Sequence, residues 1–581
     1  MTDPGPTNND RTSMPADPRH HDRNTAAALL GAGAEVAFVV LIFLPAIVYF
    51  FNAAFVEYPL LDHYAFGLPL ALLIALVPPA LGLIPRAPRR MLLAACRFIV
   101  IYVVIAAVFL PSWTPALDGN EQFAAGLSRA SIQSHLALGM LAVGIVIALW
   151  RWPDRARVLS QAIFVTALGF VGYALISDPK HEERQIRART EQDIERLLTF
   201  SSRRNTLIVL MDSFQGDLFA ELLDEDRDLA QRFDGFVYYP NITAVAPITL
   251  GALPAIYSGR IYTGGPLREF YKDVYRDTIF SDARKAGYST VLYGLTYFGC
   301  PTESCVKLLA LLKGLDRPIL ASYLGLLDYG LLRISPTSLH DLIYRDGLAL
   351  SKQPPTMRTQ TIDSLRGLKT FTERSRVGDE APTFKFLHLM NTHFPLNIDE
   401  ECKIAPQRPR TRSNFKVQAR CGLDAFLRLV AFLERSSIYD SGLIILMSDH
   451  GSSLSEPSQP RTLDEKIKLY SGRAAYFLPL FLVKPPGSRG PLRISQAPAS
   501  LIDLRATICE ATQTCDPPPH GVSVLSLPED AKRERVLIEY RNPVGIAQRN
   551  GLRDEEVQTF TLSGSVEDLD QVRDSAGRPL R

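Results

Sequence analysis

The sequence predicts a two-part protein in which membrane helices precede an α/β domain. Apolar residues are concentrated before Ser177, whereas the remainder alternates predicted strands and helices. Two apolar runs in that remainder, residues 205–211 and 442–447, each lead to a carboxylate and are typical of buried parallel strands. The net charge of +2 over 581 residues does not indicate a nucleic-acid-binding surface.

Five apolar stretches predict a transmembrane domain at residues 26–177. They carry almost no internal charge and comprise residues 36–56, 64–84, 91–110, 135–150 and 158–176. All but the fourth approach the roughly 20 residues that a spanning helix needs. Residues 1–25 are polar and are predicted to form a disordered cytoplasmic tail.

The distribution of arginine predicts the orientation of these helices. Arginines precede the first stretch and lie between the second and third and between the fourth and fifth, whereas the other connections are mainly acidic. This asymmetry predicts a cytoplasmic amino terminus, and five crossings then place everything after Ile176 outside. Basic residues at 180–189 oppose this orientation, but a long translocated domain weakens that objection.

Six of the seven cysteines lie after residue 177. An even number in a soluble part indicates an oxidising compartment, which agrees with the predicted orientation. Proximity in sequence favours the pairs Cys300–Cys305, Cys402–Cys421 and Cys509–Cys515, although sequence alone leaves other pairings open. The alternative is a cytosolic enzyme with six buried thiols.

The soluble part divides into three predicted segments. Residues 178–204 are strongly charged and predict a connecting helix at the membrane surface or a solvated linker. A domain at 205–562 follows, and the polar residues 563–581 are expected to fray. Residues 307–334 are rich in leucine but interrupted by charges and a proline, which favours core helices, or an amphipathic surface near the bilayer, over a spanning helix.

The two predicted strands end in residues that suit a metal ion. Asp212 follows the first, and Asp449 and His450 follow the second. Sites in open α/β sheets lie beyond the carboxyl ends of the strands, so these side chains can converge there. Carboxylate and imidazole ligands, with a hydroxyl group from the intervening sequence, indicate a divalent metal, zinc in the first place and manganese as the alternative.

That hydroxyl group is assigned to Thr249, in the segment Thr249-Leu-Gly-Ala-Leu-Pro254-Ala-Ile-Tyr-Ser258. The segment resembles that of phosphoethanolamine transferases, in which proline follows the threonine by five residues, before an aromatic and a small hydroxyl residue. Metal coordination and a helix amino terminus both favour a threonine alkoxide. The alternatives are that Thr249 only caps a helix, or that Thr243 is the nucleophile.

With these motifs the chain resembles the alkaline phosphatase and sulfatase superfamily. It is most similar to the membrane-anchored lipid A phosphoethanolamine transferases, lipoteichoic acid synthases and glucan phosphoglycerol transferases. The resemblance implies a mixed, mostly parallel sheet covered by helices on both faces. It also implies a nucleophilic Thr249 and a metal held by Asp212, Thr249, Asp449 and His450.

The resemblance extends to two histidines and shows two departures. His393 precedes proline after a strand and is expected to bind the transferred group, whereas His388 is either a proton donor or a core histidine. Phe477 stands where the family places a histidine, which puts a second metal in doubt, and Arg473 or Tyr470 is a candidate substitute. Thr249 cannot become the formylglycine of sulfatases, so sulfate-ester chemistry is disfavoured.

The resemblance implies a metal-dependent transferase of the bacterial inner membrane with a periplasmic catalytic domain. It would move a phospholipid head group, phosphoethanolamine or phosphoglycerol, through a phospho-threonine intermediate onto an envelope glycan or lipid acceptor. The alternatives are a phosphoric ester hydrolase of the same fold and a pseudoenzyme that senses the membrane.

Overall fold

The chain divides into two units by contacts between its residues. In this computed structural model the first unit comprises residues 1–117, 121–182 and 317–356, and the second the remainder. Residues 317–356, predicted to belong to the 205–562 domain, thus group with the apolar helices. The described residues are 18–52, 56, 58–84, 88–109, 129–178, 187–312, 319–336, 350, 356–378, 381–454, 473–513, 515, 520–541, 551–574 and 576–578.

The first unit is built from apolar helices. Their bounds are Pro18–Phe38, Leu44–Asn52, Leu60–Ala75, Val77–Gly82, Arg89–Phe109, Arg129–Arg151, Pro153–Ile176 and Ile319–Ile334, with a π-helical segment at Val39–Phe43 joining the first two. The helix at Pro18 begins within the tail predicted to be disordered, of which residues 1–17 lie outside the described part.

Among the described residues, four helices are long and apolar enough to cross a membrane. They are Ala27–Phe51, Leu60–Gly82, Arg89–Phe109 and Pro153–Ile176, and a shorter apolar helix covers His135–Arg151. The predicted count of five is therefore one too high by this measure. The reason is local, because the helix that contains the fourth stretch begins with the polar turn of Arg129, Ser131, Gln133 and Ser134.

The second unit is built on an eight-stranded sheet that is mixed and mostly parallel, as predicted. Only Phe481–Lys484 runs against the others. In spatial order the strands are Arg493–Ile494, Val237–Tyr238, Phe481–Lys484, Leu443–Met447, Asn205–Met211, Thr383–Leu389, Ser289–Gly294 and Cys305–Val306. The two runs predicted as parallel strands are adjacent at the centre of the sheet.

Helices cover both faces of this sheet because its central strands are apolar on both sides. Leu207 and Val209 pack into one buried cluster, while Ile208 and Leu210 pack into another. The first face is covered by Arg187–Leu198, Gly216–Glu225, Thr356–Arg374 and Arg412–Arg435. The second is covered by Thr249–Ser258, Leu267–Val274, Ile279–Lys285 and Leu504–Thr512. The described part of this unit also contains the helix Arg227–Gln231 and several short 3₁₀ turns.

The described residues also form five two-stranded ribbons outside this sheet. They pair Thr199–Phe200 with Arg376–Val377, Leu396–Ile398 with Ile404–Arg408, Ala499–Ser500 with Ile242–Thr243, Arg535–Tyr540 with Val557–Leu562, and Gly551–Leu552 with Gly265–Pro266. Disulfides join Cys300 to Cys305, Cys402 to Cys421 and Cys509 to Cys515, the pairs that proximity in sequence favours.

Two segments that were predicted to be peripheral take part in the core. Ile194, Leu197 and Leu198 of the predicted connecting helix are buried in the second unit. In the predicted fraying tail, Val566, Leu569 and Val572 are buried against the ribbon of Arg535–Tyr540 and Val557–Leu562. The signal was an apolar residue at every third position of a polar segment, because two turns of 3₁₀ helix bring such residues onto one side.

Lys385 is a fully buried cation within the central sheet. Its ammonium group donates to the carbonyl oxygen of Arg196, in the last turn of helix Arg187–Leu198, at 2.7 Å, and lies 4.9 Å from the centroid of the Phe200 ring. A cation suits a helix carboxyl terminus. Burial nevertheless lowers the pKa of Lys385 to about 7 by disfavouring the charged form.

This lowered pKa predicts a pH-dependent stability. Between pH 7 and 10 the unfolded chain binds the Lys385 proton and the folded chain does not, so the free energy of unfolding rises with pH. From pH 7.5 to 9.5 we expect the wild type to gain about 2 kcal/mol more than Lys385→Met. Pulse proteolysis of the full chain in urea measures both, and equal pH dependence would contradict the assignment.

Candidate active site

The register of two adjacent parallel strands brings the predicted carboxylates together. Leu210 pairs with Met447, so the residues two positions further on, Asp212 and Asp449, leave the same edge of the sheet side by side. Both side chains are fully buried. The convergence predicted from the two strand ends is therefore present.

Thr249 faces this carboxylate pair. Its Oγ1 lies 3.2 Å from Asp212 Oδ2 and 3.4 Å from His450 Nε2. Thr249 is the first residue of helix Thr249–Ser258, and Ile248 occupies the N-cap position, so the threonine hydroxyl does not cap the helix. Thr249 is half-buried, whereas the competitor Thr243 is completely buried and cannot meet a substrate without rearrangement.

The hydrogen bond of His450 identifies its tautomer. Nδ1 lies 2.7 Å from the carbonyl oxygen of Gly451, which can only accept, so Nδ1 carries a hydrogen. In the neutral ring, Nε2 then presents a lone pair toward Thr249 and toward Asp449 Oδ2, which is 3.5 Å away. This is the tautomer that a metal ligand requires.

The donor set fits a divalent metal ion. One ligand atom from each of Asp212, Asp449 and His450 lies within 4.8 Å of the others. Asp449 Oδ2 is buried, and no hydrogen-bond donor of the described residues reaches it. Two carboxylates and one imidazole beside a hydroxyl group suit zinc, because zinc binds nitrogen and oxygen donors tetrahedrally.

Asp212 is held in its charged form by histidines. Burial alone would raise the pKa of its carboxyl group, but the hydrogen bond from His388, at 3.0 Å, and the proximity of His393 and His450 hold that pKa well below its usual range. His388 is buried behind Asp212. His388 therefore contacts the Asp212 carboxylate and orients it.

Gly294 permits the close approach of His388. Its φ of +112° lies in the region that favours glycine, and a Cβ atom there would lie 1.9 Å from the carbonyl oxygen of His388. The strands Ser289–Gly294 and Thr383–Leu389 pair Gly294 with His388. Any larger residue would push this strand end away from Asp212.

His393 lies in the loop that follows the same strand. It is partly exposed, and its Nδ1 lies 2.7 Å from the carbonyl oxygen of Phe394. Gln418 donates to the His393 carbonyl oxygen at 2.9 Å, and the Arg410 guanidinium stacks on the Phe394 ring at 4.0 Å. The loop is thus fixed while the outer edge of the His393 ring stays available to a ligand.

Phe477 does not face the carboxylates. It ends the 3₁₀ helix Arg473–Phe477 and is buried against Leu537 and Phe560 of the carboxyl-terminal ribbon. Arg473 forms an ion pair with Glu539 instead of reaching Asp212 or Asp449. Tyr470, the other predicted substitute, lies outside the described residues.

Ser213 is a site residue that the sequence analysis missed. Its amide donates to Asp449 Oδ1 at 3.1 Å and its hydroxyl to Asp212 Oδ1 at 2.8 Å, so it bridges the two carboxylates. It adopts a φ of +63°, which costs free energy for a residue with a side chain. Its position directly after the strand-end aspartate was the only signal.

Tyr297 is the second residue that was missed. It lies in the loop after strand Ser289–Gly294, and its carbonyl oxygen accepts a hydrogen bond from Tyr275 at 2.5 Å. Burial raises the pKa of the Tyr297 phenol well above its usual value, and the charges of Asp212 and Asp449 raise it further. The phenol of Tyr297 is therefore neutral at neutral pH and can donate a hydrogen bond.

Comparison with known proteins identifies the family. A profile of the sulfatase family matches residues 204–514, and the chain therefore belongs to the sulfatase family. The match covers the central sheet and every proposed site residue. No curated protein matches the chain.

Solved structures of low sequence identity are similar to part of the chain. The phosphonate monoester hydrolase SpPMH of Silicibacter pomeroyi is 15% identical, with a TM-score of 0.37, over 65% of this chain and 90% of that one. The zinc complex of the periplasmic domain of EcEptC from Escherichia coli is 13% identical, with a TM-score of 0.37, over 58% and 89%. The lipoteichoic acid synthase LtaP of Listeria monocytogenes is 11% identical, with a TM-score of 0.35, over 67% and 91%.

The metal assignment predicts the content of the purified protein. The intact chain should hold about one divalent ion, and Asp449→Asn should lose most of it because a buried ligand charge is removed. Asp424→Asn is the matched control, since Asp424 forms a surface ion pair with Arg232. Elemental mass spectrometry measures all three, and equal metal content would contradict the site.

Proposed function

We propose that this protein is a metal-dependent phosphotransferase that moves a phospholipid head group through a phospho-threonine intermediate. The observation that carries the proposal is the hydrogen bond of the Thr249 hydroxyl to Asp212, beside His450 and at a helix amino terminus. Threonine cannot be converted to formylglycine, so its own hydroxyl oxygen is the available nucleophile. The family and the buried donor set support phosphoryl chemistry.

The first half-reaction uses Thr249 as the nucleophile. Thr249 releases its hydroxyl proton to water, because the low pKa of Asp212 makes that carboxylate a poor base, and the positive end of the helix dipole favours the resulting oxyanion. A divalent cation bound at this site would supply a Lewis acid that stabilises negative charge on the phosphoryl oxygens. The bond from Oγ1 to phosphorus forms as the bond to the glycerol oxygen breaks, and that oxygen takes one proton from water as diacylglycerol leaves, which balances the proton that Thr249 released.

The second half-reaction returns the enzyme to its initial state. An acceptor hydroxyl attacks the phospho-threonine, loses its proton and displaces Thr249 Oγ1, which regains a hydrogen. Donor and acceptor thus react in separate steps, so ping-pong kinetics are expected. His393 and Tyr297 border the site and are proposed to bind the transferred group, while His388 orients Asp212.

The apolar helices support a lipid donor, because a single helix would suffice as a tether. The three disulfides and the arginine distribution support an extracytoplasmic second unit. A bacterial inner-membrane location and an envelope glycan or lipid acceptor complete the proposal. Phosphoethanolamine and phosphoglycerol are both compatible with this site.

The lipid assay tests the proposal directly. Wild type with head-group-labelled phosphatidylethanolamine or phosphatidylglycerol should release diacylglycerol and transfer the label to a glycan or lipid A acceptor. Thr249→Ala should lower diacylglycerol release at least about 1,000-fold because the nucleophile is gone. Thr243→Ala is the matched control and should leave release within about twofold, because the Thr243 hydroxyl is completely buried and does not meet a substrate.

Two other outcomes would contradict parts of the proposal. Label that emerges only as free head-group phosphate, even with excess acceptor, would make the protein a hydrolase. Equal loss of activity in the two threonine variants would remove Thr249 from its role as nucleophile.

Topology gives an independent prediction. Reporter enzymes that require export should be active when fused after Ile176, and reporters that require the cytoplasm should be active after Arg90. A cytoplasmic second unit would contradict both the lipid donor and the disulfides.

A further inference from the structure

One helix of the first unit comes from within the sequence of the second. Helix Ile319–Ile334, here called the inserted helix, is preceded by the turn Leu308–Leu312 and followed by helix Thr356–Arg374, both of the second unit. It packs instead against helices that are long and apolar enough to cross a membrane. This location does not depend on the proposed catalytic activity.

The inserted helix is joined to three of those helices by polar contacts. The Tyr323 hydroxyl donates to the carbonyl oxygen of Leu41 at 2.9 Å, and Arg333 donates to that of Ala107 at 2.7 Å. His63 Nε2 and the Ser322 hydroxyl are 2.8 Å apart. These bonds fix both ends of the inserted helix to the bundle.

The hydrogen bond from Tyr323 gives the Leu41 carbonyl oxygen a partner at a place where the first spanning helix cannot supply one. Pro45 has no amide hydrogen to donate to the Leu41 carbonyl four residues earlier, and the helix widens to a π segment at Val39–Phe43. In hydrocarbon an unbonded carbonyl group is strongly unfavourable, because no water replaces the lost partner. Tyr323 supplies that partner, and it can do so only from membrane depth.

Several helix ends define one end of the bundle, here called the exit end because the chain leaves the last span there. Asp178, just beyond Ile176, accepts hydrogen bonds from the Tyr49 hydroxyl at 2.8 Å and the Leu60 amide at 2.9 Å. Arg333 lies over the Phe51 ring and also contacts Ala107, near the end of Arg89–Phe109.

Distances from the exit end give the depth of the inserted helix. At 1.5 Å per residue, Ala107 lies about 3 Å from the end of its helix, Gly67 about 10 Å and Leu41 about 15 Å. The Tyr323 ring touches the position of Gly67, and its hydroxyl reaches Leu41. Half of a bilayer's hydrocarbon core is about 15 Å, so these contacts cover the leaflet at the exit end.

The side chains of the inserted helix suit this environment. Its two charged residues are engaged, since Arg333 contacts Ala107 and both carboxylate oxygens of the buried Asp328 accept from the Leu350 amide. The large apolar side chain that this helix exposes is that of Leu320, whose relative solvent exposure is 41%. Backbone amides outside a helix must be hydrogen-bonded within the protein when they lie at membrane depth. Asp328 accepts such a bond from the amide of Leu350.

We propose that the inserted helix is embedded in the exit-side leaflet without crossing it, with Leu320 in contact with lipid acyl chains. At 16 residues it is shorter than the roughly 20 that a span requires. The chain would thus return to the bilayer after its last spanning helix, from within the sequence of the second unit.

Depth-dependent quenching tests this proposal on the full chain in nanodiscs. A fluorophore attached to Leu320→Cys, in a Cys96→Ala background, should be quenched at least threefold more by acyl-chain nitroxide lipids than by aqueous iodide. Leu68→Cys, exposed on a spanning helix, is the embedded control, and Ile494→Cys, exposed in the second unit, is the aqueous control.

Two outcomes would overturn the proposal. Quenching of the Leu320 label that matches the Ile494 label would place the helix in water, and resistance to both quenchers would mean that protein covers it. The unmodified protein provides a second measurement that needs no variant. Photoreactive acyl-chain lipids should crosslink to the peptide that contains residues 319–334, and labelling confined to other segments would equally exclude lipid contact.

Discussion

The site depends on the burial of two like charges side by side. Asp212 and Asp449 are fully buried at the ends of adjacent parallel strands, where their mutual repulsion would protonate one of them if nothing opposed it. The surroundings oppose it with the His388 hydrogen bond and with the Ser213 amide and hydroxyl. One carboxylate oxygen, Asp449 Oδ2, still has no donor among the described residues, which is the place that a cation can occupy.

The sequence alone predicted those parts of the site that follow from the periodicity of apolar residues. Apolar runs that end in acidic residues predict parallel strands, and parallel strands deliver their next residues to one edge. Asp212, Asp449 and His450 were found in this way, and Thr249 through the motif that contains it. The mostly parallel sheet was predicted on the same grounds and on the family resemblance, and it is confirmed.

Features that depend on distant packing were not predictable. Phe477 was identified as a departure, but only the structure relates it to the carboxyl-terminal ribbon, where it is buried with Leu537 and Phe560. Ser213 has its role because an unfavourable φ turns its amide toward Asp449. The inserted helix was predicted to be a core helix or an amphipathic surface near the bilayer, because the charges and proline before it hid its relation to Pro45 and Leu41, far away in sequence.

Because of the inserted helix, a single cut in the sequence cannot separate the two units. Their sequences are interleaved, since residues 317–356 of the first unit lie between two segments of the second. A cut after Glu182 would leave that leucine-rich helix on the soluble fragment without the helices that cover Tyr323 and Leu326. Exchange of membrane domains between relatives therefore needs three junctions in the sequence, after residues 182, 316 and 356.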